Sequence, residues 1–450
     1  MQILNNCVHL SRKQYPMYTK NLSRLIWMVC SLGLFIDGYI LYISSITEPF
    51  IKVMFNPSSL QIGLIQASAP LGAAIGGIVM GRVSDKIGRK SMLIFNLLFF
   101  VIIAILSALS WNISSLCIFR FLIGLGVGMD YPICASYLAE MIPKNKTSKF
   151  IAAAMFLNCS ASAVGVLIAW VIFTLVPSLH AWRFMLASSA IPAIIGLVLR
   201  SKLPESFIWQ AHKNKIDIND PESFKFYKKL FSPKYLKLTI CFSMCWFLMD
   251  ISYYGIALFT PSILNALGVS GGGDLLHSAG TLIQSTLYVN IFVMLGAFAS
   301  IFAIDRMDSI KLQKIGFMFS FLGLFIISIS FFAQNHILNL ILGFSGFILF
   351  NFFVNFGPGI TTYLLPVQLY PTEIRATGHG FAAGSAKLGA FLGTILVPVV
   401  QLLVGVHLTI LVLSFTLILG LILSYWIPPI HRTVIELDSQ FKDDVINEYT

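Results

Sequence analysis

Five ionisable side chains lie inside long apolar runs of the sequence. They are Asp37, Arg120, Asp130, Asp250 and Lys387. A charge near the centre of a hydrocarbon layer costs at least about 2.5–3.5 kcal/mol, so each must face a water-filled cavity, an opposite charge or a proton. The alternative interpretation is a set of structural ion pairs that join helices. We expect the set to serve the binding and movement of ions or protons.

Asp250 belongs to a stripe of polar side chains. Trp246, Asp250 and Tyr254 are spaced by four residues, which places them on one face of a helix. The face offers an indole N–H, a carboxylate and a phenol, which suit a polar ligand better than lipid. We expect the adjacent Tyr253 to serve packing.

Asp130 follows a run of alternating glycines. Gly124, Gly126 and Gly128 predict that another helix approaches closely. Arg120 precedes Asp130 by ten residues, about 15 Å of helix axis, so the two cannot bond along one straight helix. We predict that both belong to a path for protons.

The composition identifies the environment of these residues. Of the 450 residues, 57% are hydrophobic and 11% are charged, whereas soluble domains carry about 25% charged residues. The apolar blocks are about 20 residues long, enough to cross a bilayer. A soluble enzyme is excluded, and the scattered histidines predict no metal site and no cofactor. The net charge of +11 comes from basic residues between the blocks, so nucleic-acid binding is not expected.

The chain divides into twelve apolar spans, six on each side of a polar interval. The predicted spans are 24–46, 60–80, 91–110, 116–140, 148–174, 181–200, 237–265, 279–303, 312–332, 338–365, 376–403 and 406–427. We predict an all-α polytopic membrane protein with two six-helix bundles. The predicted order is a tail (1–23), the first bundle (24–200), a linker (201–236), the second bundle (237–427) and another tail (428–450).

The basic residues also predict the orientation. Most lie in the tails and in the loops that join even to odd spans, and only Lys52 and Arg183 lie in the other loops. Positive charge stays in the cytoplasm, so both termini should be cytoplasmic. We expect an integral protein of the plasma membrane, or of the inner membrane of a bacterium.

A charged loop motif follows the second span. Its residues are Gly81, Asp85, Gly88, Arg89 and Lys90, which predict a tight turn that carries one acid and several bases. A degenerate copy at 304–314 follows the eighth span, so the two halves read as repeats. Two similar bundles suit a transporter that exposes one central site to each side in turn.

The loop motif resembles the signature of the major facilitator superfamily. The segments RFLIGLGVG (120–128), PESFIW (204–209) and PTEIRATG (371–378) are similar to its sugar-transporter-like branch. The resemblance implies the major facilitator fold. Finer similarity to the phosphate:proton symporter family lies in GVGMDYP (126–132), WFLMDISYYG (246–255), NFGPGITTYLLP (355–366) and GSAKLGA (384–390).

This second resemblance implies the roles of individual residues. The substrate site would comprise Tyr131, Asn158, Trp246, Asp250, Tyr254, Asn355 and Lys387. Proton coupling would involve Asp37, Arg120 and Asp130. Separately, we expect the charged loop motif to act as a cytoplasmic gate that involves Arg82, Asp85, Arg89, Glu140 and Glu205. We expect His379 to be a packing residue at the membrane interface.

The resulting prediction is proton-coupled uptake of inorganic phosphate by alternating access. The chain would act as a monomer in the lipid bilayer, with phosphate and protons as its small-molecule partners. One alternative cargo is an organic anion, a glycerophosphodiester or a sugar. Another alternative is a nutrient receptor that binds without transporting.

Overall fold

The computed structural model describes residues 20–141, 147–205, 228–269, 275–370 and 372–428. These residues form helices and short connections, and no strand occurs among them. The predicted all-α class with twelve spans is confirmed. Residues 1–19, 206–227 and 429–450 lie outside the described residues, so most of the predicted tails and linker is not described.

The first bundle contains six membrane-crossing helices. They are α1 (Lys20–Phe55), α2 (Ser59–Ile87), α3 (Arg89–Ala108), α4 (Ile113–Met141), α5 (Thr147–Leu175) and α6, which has the two segments Ala181–Ser188 and Ala190–Ser201.

The second bundle repeats this arrangement. It contains α7 (Pro233–Ala257) with the short helix Thr260–Ala266 after it, α8 (Leu275–Ala303), α9 (Ser309–Ser330) and α10, which has the two segments His336–Phe356 and Pro358–Leu369. The continuous helix Thr372–Ser424 contains a non-helical residue, Gly405, with φ 84°. We name its parts α11 (372–404) and α12 (406–424).

Length and composition support a membrane-spanning chain. Ten stretches of the described residues are apolar and long enough to cross a membrane, and one of them, Thr377–Ser424, contains both α11 and α12. The helix α2 completes the twelve. We name the membrane face at which α1 begins and α12 ends the terminal face, and the opposite one the far face.

Two helix ends differ from the predicted boundaries. The first predicted span ended at residue 46, but α1 continues to Phe55. Lys52 therefore lies in the last turn of α1, where its Nζ is 2.7 Å from Oε1 of the buried Glu48. The second predicted span ended at residue 80, but α2 continues to Ile87. The turn within the charged loop motif is therefore short, and it lies at Gly88, with φ 112°.

Glycines let α2 and α4 pack closely, as the glycine run predicts. A Cβ at Gly124 or Gly128 would overlap the backbone carbonyls of Ala69 and Ala73. Small residues at such a contact allow two backbones to approach in lipid, where packing drives helix association. The close contact fixes the position of Tyr131, which lies in the next turn of α4.

The two bundles meet along α2 against α11 and along α5 against α8. At the terminal face, Lys149 Nζ of α5 lies 2.9 Å from Asp305 Oδ2 of the second bundle. At the far face, Ser262 Oγ donates to both carboxylate oxygens of Glu48, at 3.0 and 3.1 Å. Contacts between the bundles are thus present at both membrane faces.

Candidate substrate and proton site

The centre of the molecule contains a buried ion pair between α7 and α11, which both belong to the second bundle. Lys387 Nζ lies 3.2 Å from Asp250 Oδ2 and donates to Tyr254 OH at 3.0 Å. Asp250 and Lys387 are only 1% and 6% exposed. The spacing of four residues along α7 therefore does place Asp250 and Tyr254 on one face, and Lys387 joins them.

Two tyrosine rings flank the Lys387 ammonium. Its Nζ lies 5.2 Å from the ring centroid of Tyr131 in the first bundle and 4.7 Å from that of Tyr254. Such contacts stabilise a cation away from water. Tyr131 lines two cavities, one toward the far face and one toward the terminal face.

The far-side cavity lies between α1, α4, α5 and α7. Its wall includes Tyr42, Tyr131, Asn158, Tyr253 and Tyr254. The hydroxyl groups of Tyr42 and Tyr253 contact each other across the two bundles. Tyr253 is therefore more than a packing residue, which the sequence did not indicate.

Two predicted amide contributors occupy different places. Asn158 lines the far-side cavity, and its Nδ2 donates to the backbone oxygen of Leu34 at 2.6 Å. Asn355 lies at the interface of the bundles, where its Oδ1 accepts from Cys159 Sγ at 3.3 Å and its Nδ2 donates to Asn351 O at 2.9 Å.

The terminal-side cavity lies between α2, α4 and α11. Its wall includes Tyr131, Lys387, His379, Gly77, Gly128 and Gly380. Trp246 lies beside it, with its ring centroid 5.7 Å from that of His379, and Tyr363 lies 4.5 Å from His379. His379 is 4% exposed. His379 therefore packs inside the protein against these two rings, and its predicted position at the membrane interface stays a prediction.

Asp130 forms a second buried ion pair, and its partner was not predicted. Arg200 Nη2 donates to Asp130 Oδ2 at 2.6 Å, and Arg200 Nη1 donates to the Leu93 backbone oxygen at 2.9 Å. Both charged side chains are almost fully buried. The sequence contains one signal for the burial of Arg200, which is helical periodicity. Ala193, Gly196 and Arg200 share the buried face of α6.

Asp37 has no such partner. It is fully buried, and neither carboxylate oxygen has a hydrogen-bond partner among the described residues. Gly33, one turn earlier, lies against the Arg200–Asp130 pair, where a Cβ would overlap both side chains. The charges that act on the Asp37 carboxyl group are those of Asp130, Arg200 and Lys387. Asp37 thus lies one turn of α1 beyond the residue that meets the Asp130–Arg200 pair.

Arg120 is separate from this cluster. Its Nε donates to the backbone oxygen of Ile65 at 2.7 Å, which joins α4 to α2 toward the far face. The structure therefore does not bring Arg120 to Asp130.

The predicted gate residues are described only in part. The side chains of Arg82, Asp85 and Glu140 lie outside the described residues. Glu205 Oε1 accepts from the backbone nitrogens of Arg89 and Lys90, at 2.9 and 3.1 Å. Glu205 therefore caps the first turn of α3, where the N-terminal N–H groups of a helix lack partners. This contact joins the start of the predicted linker to α3 of the first bundle.

Comparison with known proteins agrees with this architecture. A family model described as the Major Facilitator Superfamily matches residues 30–394. The chain is 28% identical to "Probable inorganic phosphate transporter 1-6" of Arabidopsis thaliana, with 94% of each covered. It is also 28% identical to "Low affinity inorganic phosphate transporter 4" of Medicago truncatula, with 81% of each covered.

Solved structures give the same fold. The partially occluded, inward-open xylose transporter XylE from E. coli superimposes with a TM-score of 0.74 at 19% identity, covering 91% of this chain and 98% of XylE. The family match spans most of the chain, so this chain belongs to the Major Facilitator Superfamily.

Proposed function

We propose that the chain is a secondary transporter that takes up inorganic phosphate together with protons by alternating access. The observation that carries the proposal is the buried Asp250–Lys387–Tyr254 cluster between two cavities. Relatives that align over most of the chain bear names of inorganic phosphate transporters. The same cluster supplies the chemistry that a phosphate ion requires.

Dihydrogen phosphate needs donors for its oxygens and an acceptor for its hydroxyl groups. Lys387 and the phenols of Tyr131 and Tyr254 supply donors beside the far-side cavity. Asp250 supplies an acceptor, since a charge-assisted hydrogen bond to a carboxylate is short and strong. We assign Trp246, Asn158 and Asn355 to the outer part of the site. A bare anion without a hydroxyl group would meet the Asp250 carboxylate unfavourably.

The charge balance of the cluster supports coupling to a proton. Asp37, Asp130 and Asp250 are three acids, whereas Arg200 and Lys387 are two bases. With all five ionised, one negative charge is in excess, and an entering anion is repelled. A proton on one carboxylate neutralises the cluster, and Asp37 is the carboxylate without a hydrogen-bonded partner in the described structure. Proton uptake there admits the anion and lets the loaded bundles close and turn.

The orientation follows from the basic residues. We place the terminal face in the cytoplasm of the plasma membrane, or of a bacterial inner membrane, with both termini on that side. Uptake then runs from the far-side cavity to the terminal-side cavity. The charged motif at the junction of α2 and α3, with Arg82, Asp85 and Arg89, acts together with Glu140 and Glu205 as a latch at the cytoplasmic face as the bundles rock.

Transport by the purified protein tests the proposal. Proteoliposomes with an imposed pH gradient should accumulate labelled phosphate, and a protonophore should abolish the accumulation. Unlabelled phosphate should compete, whereas xylose, glycerol phosphate and a glycerophosphodiester should not. Failure to bind phosphate contradicts the proposal, competition by another compound reassigns the cargo, and binding without movement indicates a receptor.

A further inference from the structure

The helices around the terminal-side cavity are less tightly packed at its wall than at their other contacts. Among the described residues, leaving out chain neighbours and the backbone of the same helix, no heavy atom lies within 4 Å of the position that a Cβ would take at Gly380, and a Cβ at Gly77 would meet only the Gly128 oxygen, at 3.5 Å. Elsewhere along α2 and α4, glycines are in tight contact with backbone carbonyls. The wall at Gly380 therefore borders free space between Lys387 and the terminal face.

One polar side chain in this wall lacks a partner. His379 Nε2 is buried and has no hydrogen-bond partner among the described residues. A hydrogen bond to the backbone of Tyr363 also acts on this ring, and because Nε2 has no partner we assign that bond to the other nitrogen, Nδ1. A buried polar atom without a partner is unfavourable, so the position favours an occupant that supplies the missing bond.

The bond to Tyr363 also defines the chemistry of the free nitrogen. A neutral imidazole has one N–H donor and one acceptor nitrogen, and the partner of one sets the role of the other. A donor bond to the Tyr363 carbonyl leaves Nε2 as an acceptor. An acceptor suits an ion that carries an acidic hydroxyl group, as dihydrogen phosphate does.

The helix geometry separates His379 from Lys387. Their Cα atoms are eight residues apart on α11, about 12 Å along the axis, so His379 lies further toward the terminal face than Lys387. An ion that leaves Lys387 toward the terminal face therefore needs a new polar partner before it reaches water. His379 lies on that route, in the wall of the same cavity as Lys387.

We propose that the terminal-side cavity is a second, transient phosphate subsite, in which His379 Nε2 accepts a hydrogen bond from a phosphate hydroxyl after the ion leaves Lys387. The inference rests on the proposed phosphate transport and adds a release step to it. His379 is a binding residue of this step, and Asp250 and Lys387 hold the ion before it.

Two substitutions at His379 separate this role from packing. His379→Phe keeps the ring against Trp246 and Tyr363 but removes Nε2, whereas His379→Asn supplies an amide oxygen as acceptor in less volume. Equilibrium binding of labelled phosphate in detergent should stay within about twofold for both, because the central site is intact. The rates of uptake and of phosphate exchange in proteoliposomes should fall about tenfold in His379→Phe, as expected for a lost hydrogen bond to a charged group.

The polar variant decides between the two explanations. His379→Asn should keep its rates within about threefold of the wild type if an acceptor is what matters. Equal slowing by Asn and Phe shows that ring packing controls the rate and overturns the proposal. Wild-type rates in His379→Phe overturn it as well. A wild-type protein that neither binds nor moves phosphate refutes the proposed function itself.

A second variant tests the cavity without touching the histidine. Gly380→Leu places a side chain in the free space, so it should slow exchange at least as much as His379→Phe and leave equilibrium binding within about twofold. The matched control is His407→Phe in α12, whose ring lies against Phe332, with centroids 5.2 Å apart. It should leave both rates unchanged. Normal exchange by Gly380→Leu contradicts release through this cavity.

Discussion

Single side chains at the centre combine opposite requirements. Lys387 contacts Asp250 and Tyr254 at the same time, and its charge also acts on Asp37. A cation shared in this way can exchange partners as an anion enters, which a pair with one fixed partner cannot. The same sharing makes each member sensitive to the loss of another.

Replacement of the central carboxylate should abolish phosphate binding. Asp250→Asn removes the acceptor for a phosphate hydroxyl and leaves Lys387 buried without its counter-charge, and loss of one partner of a buried pair costs about 3–5 kcal/mol. Titration with labelled phosphate in detergent should show at least a hundredfold weaker binding, the equivalent of about 2.7 kcal/mol. Asp308→Asn is the matched control, because Asn also caps a helix. Wild-type affinity in Asp250→Asn would refute the assigned site.

Loss of Asp37 should separate binding from coupling. Neither carboxylate oxygen bonds another described residue, so Asp37→Asn disturbs few contacts. It removes the group to which we assign the proton. We expect phosphate exchange at equal pH within about threefold of the wild type, and no accumulation under a pH gradient. Accumulation at the wild-type level would move the proton to another residue.

The Asp130–Arg200 pair should behave as a unit. Asp130→Asn or Arg200→Gln alone leaves a buried charge and should cost about 3–5 kcal/mol, whereas the double substitution removes both charges and should cost less. Thermal unfolding in detergent measures the order of the three variants. Because we assign the proton to Asp37, the double variant should still accumulate phosphate under a pH gradient, and exchange without accumulation would move the proton to Asp130. A double variant less stable than both single ones would contradict the pairing.

The sequence located one member of this pair and not the other. Asp130 lies deep in an apolar span, so its cost in lipid is visible from hydropathy alone. Arg200 is the last basic residue of its span, where a charge is equally typical of a topological loop. Its burial depends on how α6 packs against Leu93 and Asp130. Pairing between helices is set by tertiary packing, which hydropathy does not contain.

Helix ends show the same division between local and distant causes. The helix α9, which follows the loop after α8, has a local N-cap, since Asp308 Oδ1 accepts from Ile310 N at 2.7 Å. At the equivalent place in the first bundle, the start of α3 is capped by Glu205, which is more than a hundred residues away in sequence. The repeat could be predicted from the charged motif, but the cap of α3 could not. The twelve helices follow from hydropathy, whereas the contacts of the last turns of α1 do not, since Lys52 Nζ donates to Ser262 Oγ of the second bundle at 2.8 Å.

Removal of the distant cap should destabilise the first bundle. Glu205→Ala deprives the first turn of α3 of an acceptor and of a negative charge near its positive end, at a cost of roughly 1–2 kcal/mol. The thermal midpoint in detergent should fall, while phosphate affinity at the central site should not change. Glu205→Asp tests whether a shorter acid preserves part of the cap. An unchanged midpoint in Glu205→Ala would show that water replaces the carboxylate.

At the scale of the whole molecule, contacts at the two faces control access to one centre. The far-face contact joins Tyr42 to Tyr253 and Glu48 to Ser262, and the terminal-face contact joins Lys149 to Asp305. Opening of one face requires its contacts to break while the others persist. Alternating access therefore predicts that a weaker contact at one face shifts the population toward the state open on that side.

Charge reversal at the terminal face tests this coupling. Lys149 and Asp305 are about half exposed, and an exposed ion pair contributes roughly 0.2–1 kcal/mol, so its loss should shift the population up to about fivefold. We expect Lys149→Glu to raise the rate at which a cysteine introduced by Gly380→Cys reacts with a maleimide added from the terminal side. Adding Asp305→Lys restores opposite charges and should return the rate to that of Gly380→Cys alone, and the protein without Gly380→Cys gives the background labelling. A rate that Lys149→Glu leaves unchanged, or that the second reversal does not restore, would show that this ion pair does not hold the terminal face closed.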